Sequence, residues 1–422
     1  MSGLGVLLGL FALLVLIDAP IAVALGLASV GYLAASDAAP MIVVAQRMVA
    51  GVNSFTLLAI PLFLFAGLLM LHGGLTPRIV RLCSALVGRS TGGLGMVTVL
   101  AAMLFGALSG SGVADVVAIG TMMLPAMKEK GYAPAFSCAL LGCAGSLGTV
   151  IPPSIVMIVY GTATNTSIDE LFVAGVIPGV LTGASLMAVA YVVARRNDWR
   201  GGQEFSWAEL WAALRAAWLA LTAPVIIVGG IRFGFFTATE AAGVAVAYAL
   251  VIGVFVYREL RWQQLLEQVR ETAEATGSIL FVIATASVFG WILAAEQVPQ
   301  MLVEMIGDFT ESATVALLLM MVVLLVLGTF METIAIILIL APVFVQMMAH
   351  YHIDPVYFGV LLTLNLAIGA NTPPLGIDLM AACCVGRIPM SASFGYLVPF
   401  LSAMVLVMLG VLFVPGVLLL NR

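Results

Sequence analysis

Residues 105–161 read FGALSGSGVADVVAIGTMMLPAMKEKGYAPAFSCALLGCAGSLGTVIPPSIVMIVYG, an apolar run broken twice by glycines and small polar residues. A segment that only crosses lipid keeps its backbone hydrogen bonds inside one unbroken helix, because the bilayer core has no water to satisfy a free N–H or C=O. Ser109, Gly110, Ser111 and Gly112, and the stretch from Gly145 to Pro153, therefore need a reason to lie at membrane depth. The usual reason is a binding site.

The rest of the chain agrees that the solvent is lipid. Of 422 residues, 63% are hydrophobic and 9% charged, and the mean hydropathy is +1.19, whereas soluble domains carry about 25% charged residues. The chain is expected to be an all-α polytopic membrane protein. Its five cysteines, Cys83, Cys138, Cys143, Cys383 and Cys384, have no metal-type spacing and are expected to pack rather than react. No Lys or Arg precedes Arg47 and no small-residue cleavage site follows a short apolar run, so the first apolar stretch is expected to be a permanent span.

Charge orients the spans. Residues 3–17 and 20–36 are predicted as two helices joined by a tight turn at Asp18 and Pro20, residues 40–54 as an interfacial helix, and 55–72 as a span. With the loop 73–93 in the cytoplasm, 94–127 becomes a re-entrant hairpin whose tip is Ser109 to Gly112, and Lys128 and Lys130 fall on that same side. Residues 132–163 then cross outward, 171–194 return, and 197–215, rich in tryptophan, form an interfacial helix. A pair of spans (216–231, 238–257) comes back to Arg258, and 276–295 lead out to an acidic loop carrying Glu296, Glu304, Asp308 and Glu311. A second hairpin, 313–348, a crossing, 356–386, and a last span, 391–420, complete the layout, with the N-terminus outside. Thirteen of the 16 Lys and Arg residues fall inside, leaving Arg47, Arg232 and Arg422 outside. Treating either hairpin as a full crossing destroys this positive-inside asymmetry.

The opening stretch has an echo. Pro134, Pro152, Pro153 and Pro178 are each followed 221 positions later by Pro355, Pro373, Pro374 and Pro399, and Gly148 by Gly369. In the charge layout Pro134 is inside and Pro355 outside, so the two units are inverted. Inverted units with broken apolar segments in matching places point to a secondary transporter whose site lies where the units meet.

At this level the chain resembles the large membrane subunit of tripartite ATP-independent periplasmic (TRAP) transporters, the DctM-like family. The resemblance covers nearly the whole chain and rests on AQRMVAGVNSFTLLAIPLFLFAGLLM (45–70), ALSGSGVADVVAIGTMMLPAMKEKGY (107–132), GSLGTVIPPSIVMIVYG (145–161), LFVAGVIPGVL (171–181), GFFTATEAAGVAVAYAL (234–250), GTFMETIAIILILAPVF (328–344) and LNLAIGANTPPLGIDLM (364–380). It implies an elevator-type transporter with two inverted repeats, each having a re-entrant hairpin and a broken helix. Residues 1–90 and 195–275 would then be scaffold and arms, and residues 91–194 and 276–422 the two repeats. It further implies sodium-coupled import of a carboxylate across the bacterial inner membrane, handed over by a periplasmic binding protein. A small four-helix membrane subunit is implied as well, expected here as a separate chain because no N-terminal extension encodes it. No nucleic acid and no cofactor beyond the coupling sodium ions is expected.

The same resemblance assigns residues. Sodium ligands would come from Ser109, Gly110, Ser111, Gly145, Ser146, Gly148 and Thr149 in one unit, and from Gly328, Thr329, Met331, Glu332, Thr333, Gly369, Asn371 and Thr372 in the other. Hydroxyls and unwound carbonyls suit a hard cation. Substrate would meet Ser111, Gly112, Thr149, Asn371 and Thr372. Gly112 stands where the family often has a serine, and Ala238 where it often has a proline. Asp115, Glu332, Asp378 and Glu240 lie at membrane depth, where an ionisable group is costly and functional by default, although each also suits a helix cap or a structural pair. Small residues in apolar helices also serve as plain packing contacts.

Two other readings are set against this one. A self-contained sodium-coupled carboxylate symporter or an ion antiporter shares the architecture without a binding protein. An intramembrane enzyme is disfavoured: His72, His350 and His352 lie at span ends or in a loop, so none activates Ser109 or Ser111. No phosphate loop of the GxxxxGK[ST] type supports a pump.

Overall fold

In the computed structural model, which describes residues 3–36, 38–199 and 206–416, the described residues form helices and short connections without strands. Asp18 takes a left-handed backbone (φ 62°) just before Pro20, so α1 (Gly3–Leu16) folds straight back as α2 (Ile21–Ser36). The short α3 (Ile42–Val52) ends at Asn53, and a single 3-10 turn, Phe55–Leu58, leads into α4 (Ala59–His72). Next come α5 (Leu75–Val87) and the first hairpin, α6 (Gly93–Ser109) and α7 (Gly112–Glu129).

Pro134, whose missing N–H costs nothing in a first turn, opens α8 (Pro134–Gly145). That helix tightens into a 3-10 turn (Ser146–Thr149), breaks at Val150 to Ser154, and resumes as α9 (Ile155–Thr164). The long α10 (Ile168–Arg196), α11 (Trp207–Arg232), α12 (Ala238–Leu250, continued by a π-helical turn to Val256) and α13 (Trp262–Ala295) follow. After α14 (Val298–Phe309) the second hairpin is α15 (Ala313–Gly328) and α16 (Thr333–His350). The second broken helix is α17 (Pro355–Gly369) with α18 (Ile377–Gly386), and α19 (Phe394–Phe413) is last. Among the described residues, seven helices are long and apolar enough to cross a membrane by length and composition; the chain is a multi-pass membrane protein.

Both hairpins and both broken helices fall where the interruptions predict them. Four expectations need correction. The loop 73–93 contains α5, and the acidic loop after residue 295 contains α14. Of the interfacial helix expected at 197–215, residues 207–215 are the opening of α11, which runs on into the span without a stop, and residues 200–205 lie outside the described residues. The span expected to start at 276 starts at Trp262. In each case a break in hydrophobicity was read as a break in helix, although Glu, Gln, Arg and Ala in EQVRETAEA are good helix formers and Arg270 pairs with Glu274 one turn on. Arg200 and Arg422 lie outside the described residues. Of the cysteines, Cys384 is exposed and the other four are buried.

The 221-residue repeat is wider than the prolines show. Gly112 opens α7 and Thr333, 221 positions on, opens α16; Leu75 and Val87 map onto the span of α14, and Ile42 to His72 map onto α13. Packing is reciprocal, as a two-fold relation requires: α7 lies on α18 of the other unit and α16 lies on α9.

Contacts sort the loops into the two ends that the charge layout separates. Arg81 pairs with Glu209 and Arg78 with Glu259, each at 2.8 Å, while Trp199 stacks 4.9 Å from Tyr132. At the opposite end Tyr32 donates to Glu296, Tyr160 to the Pro355 carbonyl (2.7 Å) and Tyr351 to the Thr310 carbonyl (2.8 Å). The two solvent-accessible ion pairs fix register more than they add stability.

Candidate functional site

The first tip is built from one glycine and two serines. Gly110 takes a left-handed backbone (φ 65°) and leaves no room for a side chain, since a Cβ there would sit 2.7 Å from the Pro153 carbonyl. Ser111 is extended and releases the chain into α7. Ser109 donates to the Asp115 carboxylate and accepts the Ser111 N–H (3.2 Å). The Ile155 N–H donates to the Gly110 carbonyl (3.3 Å), which stitches the tip to the start of α9. Gly106 lies on Gly148, where a Cβ would be 2.8 Å from the Gly148 Cα.

The second tip repeats the plan. Gly328 and Gly369 touch backbone to backbone, and the Leu375 N–H donates to the Thr329 carbonyl (3.0 Å). Close glycine contacts between helices are how a membrane interior packs without a hydrophobic driving force. Thr329 bonds back to the Val326 carbonyl (2.7 Å), and the half-buried Glu332 caps α16 by accepting the Ala335 N–H (3.1 Å).

Between the tips lies a cavity of about 190 Å³. Gly110, Ser111 and Gly112 of the first tip line it, with Glu332 and Thr333 of the second, Thr149 and Ile155 of the first break, and Ala370 and Asp378 of the second. Leu64 of α4 and Ile279 of α13 complete the wall. Of the expected substrate residues, Ser111, Gly112 and Thr149 are thus brought together. Asn371 and Thr372 are not on this wall. Thr372 bonds back to the Ile368 carbonyl (2.8 Å), and Asn371, fully buried, donates to the Ser146 hydroxyl (3.0 Å) and to the Ala367 carbonyl (3.0 Å).

Gly145, Ser146 and Gly148 are buried behind the wall, and Met331 lies half-buried beside the second tip. Asp115 is fully buried, and its Oδ2 has no partner among the described residues. It lies against Gly148, which has no space for a side chain there. Asp378 also has an unpartnered Oδ2, and a Cβ on Gly112 would be 2.8 Å from it. Two buried carboxylates therefore face the glycines of the first tip and first break with oxygen atoms unsatisfied. Desolvation of this kind is costly unless something positive or a donor compensates it.

Glu240 is elsewhere, closing a capping box with Thr237 at the start of α12, which is the dipole role its position suggested. His350 and His352 are exposed, away from the cavity. Ser154 was not singled out in the sequence, yet it caps α9 and donates to the Thr149 carbonyl (2.5 Å), holding the first break in shape. A serine directly after two prolines was the available signal. Leu64 and Ile279 carried none, being apolar residues in apolar helices.

Comparison with known proteins agrees with this architecture. Residues 8–417 match the DctM component of the tripartite ATP-independent periplasmic transporters. The chain is 41% identical, over 86% of its length and 85% of the relative's, to a C4-dicarboxylate TRAP transporter large permease protein, DctM, of Pseudomonas aeruginosa. It is 39% identical, over 98% of its length, to the isethionate TRAP transporter permease protein DctMQ of Oleidesulfovibrio alaskensis, and spans 65% of that longer protein. In fold it is similar to the YdaH transporter of Alcanivorax borkumensis (TM-score 0.63, 15% identity, 88% of this chain and 87% of that one). Matched over residues 8–417 by this family of permeases, which are transporter subunits rather than enzymes, the chain belongs to the DctM family of TRAP transporters.

Proposed function

We propose that this subunit carries an organic acid inward across the bacterial inner membrane, coupled to sodium, by an elevator motion. The observation that carries the reading is the cavity enclosed by both tips, both breaks and two further helices, α4 and α13. A substrate held there touches residues from both halves of the repeat, and the apolar contacts of Leu64 and Ile279 are free to slide. In this reading α6 to α9 and α15 to α18 move as one body against a scaffold formed by the rest of residues 1–90 and 195–275 with the intervening long helices. Sodium would be held by the oxygens behind the cavity, where the Ser109 hydroxyl meets the Asp115 carboxylate beside Gly148 of the first break. Ser111 and Thr149 would meet the substrate acid, a hydroxyl and a helix N-terminus being suited to an anion.

With the N-terminus periplasmic, the turn at Pro20 is cytoplasmic. A second cavity of about 460 Å³ runs from Glu332 and Ile334 past Ile279 to Pro20 and Ile21, which supports an inward-open position of the moving body. The relatives named for C4-dicarboxylate and isethionate support an organic acid as cargo, and their family supports a small membrane subunit and a periplasmic binding protein as partners.

The test is uptake into proteoliposomes holding the chain with the small subunit, with loaded binding protein outside. Uptake that needs an inward sodium gradient and all three proteins is expected, and its absence for every organic acid retained by the binding protein rejects the reading. Uptake of free substrate by the chain alone supports the self-contained symporter instead.

A further inference from the structure

A larger cavity, about 510 Å³, lies further along the helices that line the tip cavity. Helix α9 gives Val156 to the tip cavity and Thr162 to this one, α13 gives Ile279 and Ser287, and α16 gives Ile334 and Pro342. At 1.5 Å per residue the two cavities are about 10 Å apart. The larger one lies toward the end that holds Glu296 and Pro355. Its walls are mostly apolar, with Gln300 and Gln346 among the polar groups, and Arg47 is the only charged residue on them among the described residues.

The register of two helices fixes Arg47 there. A Cβ on Gly51 would collide with the Ser287 side chain, so α3 and α13 touch at that level. One turn away on each helix, Arg47 lies over the Trp291 ring, 5.1 Å from its centroid. The guanidinium is within cation–π reach of the indole, which leaves its N–H donors for another partner. Arg47 makes no ion pair among the described residues, and no carboxylate lines the chamber. Arg47 is exposed, and an accessible, unneutralised guanidinium at a chamber without acid is suited to a planar or trigonal oxyanion, which it can grip with two parallel N–H bonds.

We propose that this chamber is a second organic-anion station, where Arg47 holds the carboxylate or sulfonate of the cargo before it reaches the hairpin tips. The station rests on the organic-acid reading above, but the guanidinium and its chamber are testable without it. The walls come from α3 and α13 on one side and α9 and α16 on the other. Sliding of one pair past the other opens and closes the station.

Two measurements test it. In proteoliposomes of the complete transporter, uptake of succinate and of isethionate is compared for wild type, Arg47→Gln, Arg47→Lys and, as control, Arg232→Gln. Arg47→Gln is expected to raise the half-saturating concentration about tenfold, the scale of one lost charge-assisted pair. Arg47→Lys, which keeps the charge and loses the fork, falls between, and Arg232→Gln matches wild type. Separately, Thr162→Cys is placed in a Cys384→Ala background and labelled with anionic and cationic methanethiosulfonates. The anionic reagent is expected to be favoured by about tenfold with Arg47 present, and the preference to vanish in R47Q. Unchanged uptake together with an unchanged reagent ratio in R47Q overturns the station. A collapsed ratio with no uptake of either acid by wild type upholds the anion site and rejects succinate and isethionate as the cargo it holds.

Discussion

Asn371 in the second break donates a hydrogen bond across the unit boundary to Ser146 in the first, 3.0 Å away and fully buried. Both residues are expected around sodium or substrate; in this structure they meet each other, and the bond ties the two breaks together.

Removing that bond is expected to loosen the body. Interhelical hydrogen bonds in membrane proteins average about 0.6 kcal/mol and reach about 1.7, so a double-mutant cycle of Asn371→Ala and Ser146→Ala, read by thermal unfolding in detergent, should return a coupling in that range. A coupling of zero would show that the contact does not hold the breaks together.

Asp115 should govern the ion rather than the acid. Its unpartnered Oδ2 and its bond from Ser109 put a carboxyl group behind the tip, and Asp115→Asn removes its capacity to carry a charge there with little change of shape. The sodium concentration for half-maximal uptake is expected to rise about tenfold, in proportion to roughly 1.4 kcal/mol of lost binding, while the half-saturating substrate concentration at saturating sodium stays close to wild type. An unchanged sodium curve rejects the assignment.

Gly112 and Asp378 form a pair that can be tested by suppression. Adding a methyl at Gly112 places it 2.8 Å from the Asp378 Oδ2, so Gly112→Ala should push the carboxylate off the tip and slow uptake. In an Asp378→Ala background the same methyl meets no carboxylate, and Gly112→Ala should then cost little further activity. Equal losses in both backgrounds would mean that the two residues act apart.

At the second tip the clash has no flexible partner. A Cβ at Gly369 would lie 2.9 Å from the Gly328 Cα, and backbone cannot step aside as a carboxylate can. Gly369→Ala is expected to destabilise the fold by about 1–3 kcal/mol, the usual cost of overpacking, seen as a lowered melting temperature. A wild-type melting temperature would show that the tip is not seated on the break.

These outcomes separate what the chain announces from what only folding reveals. Ser109 to Gly112 and Gly145 to Pro153 are legible because small polar residues inside an apolar run have few reasons to exist, and the recurrence of Pro152 and Pro153 at Pro373 and Pro374 doubles the signal. Helices α5 and α14 are not, because a short amphipathic helix with Arg78 and Arg81, or with Glu304 and Asp308, has the composition of a loop. The cavity residues Ser111, Gly112 and Thr149 were legible as polar groups in apolar surroundings. That Asp378 crosses to Gly112 and Asn371 to Ser146 was not, since the partners lie 266 and 225 positions apart and only tertiary packing brings them together.

The two halves differ most where α13 stands in for both α3 and α4. One half has a single beam of 34 residues, about 51 Å at 1.5 Å per residue. The other is jointed, with an extended residue at Ser54 (φ −133°) and a tight turn after it. A beam passes a push from one end to the other, whereas a joint absorbs it as rotation. The hairpins and broken helices are therefore flanked by a stiff beam on one side and an elbow on the other. Under the elevator motion proposed above, a carriage so flanked would be steered asymmetrically by a chain whose halves are otherwise alike.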